Sequence, residues 1–164
     1  MESPYDAEAI RNVVNFLRSQ LEQEARGEGC NCIVCGERAK WNRRSLSKKQ
    51  VKALVNLYKK TQPGGYSHIT EFAESRGDGD EIAKTRYWQL AAPGENTDKK
   101  KLHSGYWKLT DFGRQFVEGR VSIYKYVWVY RAHAMAYDGE GVSIYDCYGQ
   151  HFDIREVLVA KVYR

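Results

Sequence analysis

The 164-residue chain lacks any long apolar run. That excludes a membrane-spanning helix, which needs roughly 20 consecutive apolar residues. Its opening, Met1-Glu-Ser-Pro-Tyr-Asp6, has neither the cationic nor the apolar segment of a secretory signal, so a cytoplasmic location is expected. No internal repeat or low-complexity segment is present. Cysteine is scarce, with four residues, three of them between positions 30 and 35. That clustering suits metal ligands or reduced thiols better than a disulfide framework. The sequence has no nucleophile elbow, phosphate-binding glycine loop or His-Glu-x-x-His pattern, and no enzyme is expected. Asp78, Asp80 and Glu81 cluster at a helix start, where carboxylates commonly act as caps.

What is present suits one compact domain with a small addition, since 42% apolar residues can bury a core without disulfides. The net charge of +5 is unevenly spread. Residues 1–35 carry −3, 36–62 carry +8, 63–83 carry −4, 84–120 carry +4, and the remainder balances. Two basic blocks separated by an acidic one predict a polarised surface fit for nucleic acid or an acidic protein. The plainer reading is a set of solvated helix faces.

Ser3 and Pro4 predict a helix start, and Ile10, Val13, Val14, Leu17 and Leu21 recur along one face before Gly27 and Gly29. A single apolar stripe needs a partner. The rest of the chain is favoured, and a second copy, giving a homodimer through this helix, is the alternative. A second helix is expected over 47–60, burying Val51, Leu54, Val55 and Tyr58 and ending at Pro63-Gly64-Gly65. A short helix near 68–75 follows, then a turn at 76–79 and a helix over 80–90. A polar loop over 96–104, a strand at 105–110 and a helix over 111–118 capped by Thr110 complete this region. That order is the order of a winged helix, the loop between two strands forming the wing.

Residues 121–164 read as β-rich, with a strand within Val121–Ala136, a turn at Tyr137–Gly141 and a strand at Val142–Tyr145. A second turn at 146–149 and a strand or short helix within 152–162 end the chain. The expected fold is therefore α+β: a winged helix-turn-helix core with an N-terminal helix and a small C-terminal β-rich appendage. The division is expected between 1–120 and 121–164.

Cys30-Asn31-Cys32-Ile33-Val34-Cys35-Gly36 contains the Cys-x-x-Cys-Gly unit of a zinc-knuckle turn. Two intervening residues bring both sulfurs to one metal, and the glycine accepts the positive φ that turns backbone amides toward sulfur. A closed structural Zn2+ site needs four ligands. Cys30 is a candidate third, and Cys147, His68, His103, His133 or His151 a fourth; the alternative is a reduced turn that binds nothing. A redox role is disfavoured because no βαβ pattern surrounds the motif.

Candidate phosphate contacts are Arg43, Arg44, Lys48, Lys49 and Lys52 in one block and Lys99, Lys100 and Lys101 in the polar loop. Lys84 and Arg86 lie on the helix expected to read bases, although that helix begins with Asp78, Asp80 and Glu81. The stretch from Ala83 to Leu90, the basic loop, and Tyr106-Trp-Lys-Leu-Thr-Asp-Phe-Gly-Arg-Gln-Phe-Val117 resemble winged-helix regulators of the MarR/PadR type. Thr85 and Gln89 stand where those regulators usually carry Leu and Gly. With the cysteine turn and the Tyr/Val-rich tail, the chain is similar to small proteins encoded by bacteriophages and prophages. The resemblance implies a viral origin, a place in the host cytoplasm and, in the first reading, DNA binding without catalysis. The alternative is a phage-encoded inhibitor of a host or anti-phage defence protein, of the anti-defence or anti-CRISPR kind.

Overall fold

A computed structural model describes residues 6–75, 77–98, 100, 103–149, 152–153 and 155–157. Asp6 caps the first helix, its carboxylate accepting the amides of Glu8 and Ala9 at 2.9 and 3.3 Å. Helix α1 (Ala7–Glu24) buries none of its residues. The favoured partner for its stripe, the rest of the chain, is met only at the C-terminal end. There Leu21 packs on a small cluster of Ala25, Ala39 and Trp41. Eighteen residues make a helix of about 27 Å. A three-residue cluster covers only its end, leaving Ile10, Val13, Val14 and Phe16 exposed. The chain then forms the short pair β1 (Cys30–Asn31) and β2 (Arg38–Ala39), followed by β3 (Asn42–Ser45).

Helix α2 (Lys48–Lys60) starts at a reciprocal cap. Ser47 Oγ accepts the Gln50 amide at 3.3 Å, and the Gln50 side chain accepts the Ser47 amide at 2.8 Å. Its buried Val51, Leu54, Val55, Leu57 and Tyr58 anchor the main core, each large apolar side chain contributing roughly 1.5–3 kcal/mol by burial. β4 (Ser67–His68), α3 (Ile69–Phe72) and α4 (Asp78–Thr85) follow. The helix expected over 80–90 tightens into a 3-10 turn at Arg86–Trp88 and stops at Gln89, whose φ is +59°. β5 (Ala91–Pro93), β6 (Tyr106–Leu109) and α5 (Asp111–Val117) come next. β4, β6 and β5 form an antiparallel sheet in that order, with β6 central.

The start of α5 shows why its sequence is so particular. Thr110 Oγ1 accepts the Gly113 amide at 2.9 Å and donates to the Gln89 carbonyl at 2.6 Å. A Cβ on Gly113 would lie 1.9 Å from the Leu90 carbonyl oxygen, so only glycine lets the helix approach that backbone. Arg114 is buried and donates to the Thr61 carbonyl at 3.0 Å, its guanidinium 5.2 Å from the Tyr58 ring centre. Burial, then the hydrogen bond to Glu118, pushes the Tyr58 hydroxyl up to about 12.

β7 (Ile123–Tyr130) and β8 (His133–Val142) form a hairpin, and β3 pairs with the free edge of β7, giving the order β3-β7-β8. Ile123, Val127 and Val129 belong to the main core, while Trp128 and Tyr130 pack on the Trp41 cluster, so this sheet serves both cores. The expected turn at Tyr137–Gly141 is instead part of β8. The reversal falls at Arg131 and Ala132, both at positive φ (46° and 63°). Gly139, at φ +87°, lies against the Tyr126 ring where the register shifts, the role of a bulge. The strand expected at Val142–Tyr145 gives way to helix α6 (Ile144–Tyr148), capped by Ser143, and Ile144 enters the main core. The fold is a mixed α+β one with an N-terminal helix and a strand-rich C-terminal region. No helix among the described residues is long and apolar enough to cross a membrane.

Candidate functional site

The basic block that begins in β3 is partly neutralised. Arg43 lies 3.7 Å from the Tyr126 ring centre and pairs with Asp138 at 3.3 Å, while its neighbour Arg44 is exposed. Both are positioned by pairing with β7, Arg43 opposite Trp128 and Arg44 opposite Val127. At the start of α2, Lys48 sits 5.7 Å from the Tyr148 ring. Lys49 and Lys52 share a cleft with Glu74, Asp78 and Glu81. Lys52 pairs with Glu74, which also accepts from Asn56 Nδ2 at 3.0 Å. That lysine and then Asn56 hold the Glu74 carboxyl below its ordinary range. Such exposed pairs are worth little in stability, typically under about 1 kcal/mol, but they lower the field a phosphate would meet.

The acidic start of α4 has a local explanation. Asp78 accepts the Ser75 hydroxyl at 2.6 Å and the amides of Glu74 and Ser75 at 2.7 and 3.1 Å. The Ser75 hydroxyl is the main cause of its lowered pKa. Glu81 pairs with Lys84 at 2.8 Å one turn on. Arg86 is exposed beside Tyr87, and Lys100 is exposed in the loop joining β5 to β6, its amide donating to Asp98 at 3.0 Å. Lys99 and Lys101 lie outside the described residues. Of the eight described candidates, Arg43, Lys52 and Lys84 each hold a carboxylate, whereas Arg44, Lys48, Lys49, Arg86 and Lys100 have no ion-pair partner among the described residues.

The structure adds aromatic residues that the sequence pattern did not single out. Tyr124 and Tyr137 stack with ring centres 6.3 Å apart, and Tyr137 donates to the Tyr87 carbonyl at 2.7 Å. They meet Gln89 and Phe112 around one groove. A neighbouring one joins Arg86, Tyr87 and Gln89 to His133 at the hairpin end. No local signal marks these residues, because the hairpin reaches the 3-10 turn only through tertiary packing. Exposed tyrosines beside an arginine offer flat surfaces for stacking and a cation for a phosphate or carboxylate.

The cysteine turn is held on both sides by β1 and β2. Cys32 N–H donates to the Glu37 carbonyl and Gly36 N–H to the Cys32 carbonyl, both at 2.8 Å, with Gly36 at φ +73°. The Cys32 thiol is drawn below its ordinary value by the Cys35 amide, then the Val34 amide and the Cys35 thiol. Cys30 instead packs on the Trp41 cluster, and burial and Glu24 push it up. Cys147 is distant in α6, its thiol pushed up to about 11 by burial. Of the histidines weighed as a fourth ligand, His68 caps α3 through Thr70 and His151 lies outside the described residues. Among the described residues no three His, Cys, Asp or Glu side chains converge as a metal would require. Comparison with known proteins finds no family model, no curated protein and no solved structure that matches this chain.

Proposed function

We propose that the chain is a winged-helix protein that binds nucleic acid, DNA in the first instance, and carries out no chemistry on it. The observation that carries this reading is the element order α2, β4, α3, α4, β5, loop, β6 with the sheet order β4-β6-β5. That order gives a helical turn exposing Arg86 and Gln89, then two paired strands joined by a loop that carries Lys100, as a wing is built. The resemblance to winged-helix regulators supports it independently. Gln89 stands where those regulators usually carry Gly, and it adopts the positive φ that favours glycine. On this reading Arg86, Lys100 and the flanking Lys99 and Lys101 contact phosphates, and Lys52 and Lys84 contribute only after exchanging their carboxylate partners. On this reading, with the phage origin that the resemblance implies, the protein acts in the cytoplasm of a host cell.

The reading is tested by fluorescence anisotropy with labelled duplex and single-stranded oligonucleotides at several salt concentrations. Binding should weaken steeply with salt. Replacing Lys99, Lys100 and Lys101 together by Ala should lower the slope of log K against log salt by about 3 and weaken binding alike on all sequences. No binding at low salt, or a triple variant that binds as the parent does, overturns it. A second reading, an inhibitor that binds a host or defence protein, is favoured by one observation: Arg43, Lys52 and Lys84 already hold carboxylates of the chain itself instead of being free for phosphates.

A further inference from the structure

The turn at Cys32–Gly36 presents two sulfurs and then stops. Gly36 N–H donates to the Cys32 carbonyl at 2.8 Å and closes a tight turn, and Cys32 and Cys35 line the same groove. This is how a turn offers a pair of thiolates to one tetrahedral ion. The remaining cysteines do not join them. Cys30 packs into the Trp41 cluster and Cys147 is held in α6, and no third His, Cys, Asp or Glu among the described residues converges on the pair. The described residues therefore supply half of a closed four-ligand site.

The same turn carries a second incomplete feature. Ile33 and Val34, the residues between the two ligands, are 80% and 77% exposed. They line an apolar groove with Val14, Leu17 and Leu21 of α1, the helix that buries nothing. A monomer that leaves this surface in water forgoes burial at about 25 cal/mol per Å². The rim of the groove holds Arg18 and Arg131 together with Glu24, so it carries both signs of charge. A surface with both signs can face a two-fold copy of itself, Glu24 of each copy opposite an arginine of the other, as an isologous contact allows.

We propose that Cys32 and Cys35 of two copies of this chain bind one zinc ion between them, making a metal-linked homodimer whose apolar seam is the α1 groove and the Ile33-Val34 tip. Four thiols and Zn2+ give one tetrathiolate centre of charge −2 and four released protons. Arg131, which lines the same groove as Cys32, and its copy offset the negative charge. This inference does not depend on the nucleic-acid reading, because its measurements contain no nucleic acid.

The test uses the full chain under reducing conditions, titrated with Zn2+ and with Co2+ and followed by native mass spectrometry, light scattering and absorbance. Saturation is expected at about 0.5 metal per chain, with the mass rising from one chain to two and cobalt giving the bands of a tetrahedral thiolate site. A chelator should return the monomer. Cys32→Ser and Cys35→Ser should each lose metal and dimer together, whereas Cys30→Ser and Cys147→Ser should keep both. Circular dichroism of each variant separates loss of metal from loss of fold. One metal per monomeric chain, a dimer indifferent to chelator and to Cys32→Ser, loss of the site in folded Cys30→Ser, or no metal uptake would each overturn the proposal.

Discussion

The core around α2 and the cluster around Trp41 share one sheet, yet they close in different ways. Around α2, apolar side chains from α4, β6, α5, β7 and α6 meet each other, and the polar Thr61, Thr85 and Arg114 buried among them donate to backbone carbonyls. Around Trp41, only Ala25 and Ala39 among the described residues join the indole in burial, and the helix that leads into the cluster leaves Ile10, Val13 and Val14 of its apolar stripe in water. In the first region the chain itself supplies the apolar packing, and Arg114 Nε is the one buried side-chain polar atom among the described residues that lacks a partner. The second has an exposed apolar groove and a pair of convergent thiols. The comparison teaches that what looks unfinished lies in the N-terminal lobe, although the lysine count first drew attention to the helices and the loop.

If the α2 core is closed to this degree, its tightest contact should tolerate nothing. Gly113→Ala is expected to cost about 3 kcal/mol or more, because the new Cβ would meet the Leu90 carbonyl oxygen at 1.9 Å and both partners are backbone. Urea unfolding of the variant against the parent measures it. A loss below about 1 kcal/mol would mean that α5 can lift from Leu90, and the core would then be less tightly closed than its packing implies.

The opposite outcome is expected for the small cluster. Trp41 donates from Nε1 to the Glu22 carbonyl at 3.1 Å, and its amide donates to the Ala25 carbonyl at 2.9 Å, so it ties α1 to the strands. Trp41→Ala should remove about 3–4 kcal/mol locally, since the cavity has few neighbours to refill it. Hydrogen exchange should then show α1, β1 and β2 losing protection while α2 and β7 keep theirs. Loss of protection throughout would show that the two regions unfold as one, and the contrast between them would fall.

This division also explains what could be read from the residues. The α2 helix, the Thr110 cap and the strand–helix order were legible, because each rests on local spacing or on a side chain bonding three residues away. The piece Leu109-Thr110-x-x-Gly113-Arg114 pointed to a family, and its residues turn out to cap, to permit close approach and to bond Thr61, which are tasks of folding. Within the candidate site, the cysteine turn was legible because its chemistry is contained in seven residues. The carboxylates opposite Arg43 and Lys52 were not, since Asp138 lies 95 positions from Arg43 and Glu74 reaches Lys52 only through the packing of the helices. Asp138 and Gly139 resembled a turn. In the strand, Asp138 accepts the Trp128 indole N–H at 3.0 Å and Gly139 makes room for the Tyr126 ring.

The hairpin between the two cores offers the smallest and most local effect. Its reversal uses Arg131 and Ala132 at positive φ, the geometry of a two-residue turn in which Asn-Gly is the usual sequence. Ala at positive φ costs roughly 1–2 kcal/mol relative to its ordinary conformation, while Gly pays little steric penalty but loses more chain entropy on folding. Ala132→Gly is therefore expected to stabilise the chain by about 0.5–1 kcal/mol, read as a rise of a few degrees in Tm. Because β7 contributes to both cores, exchange protection should rise in β8 and in the Trp41 cluster together. A gain confined to the hairpin end would show that the sheet does not couple the two regions. An unchanged Tm would show that the turn relaxes away from positive φ at no cost.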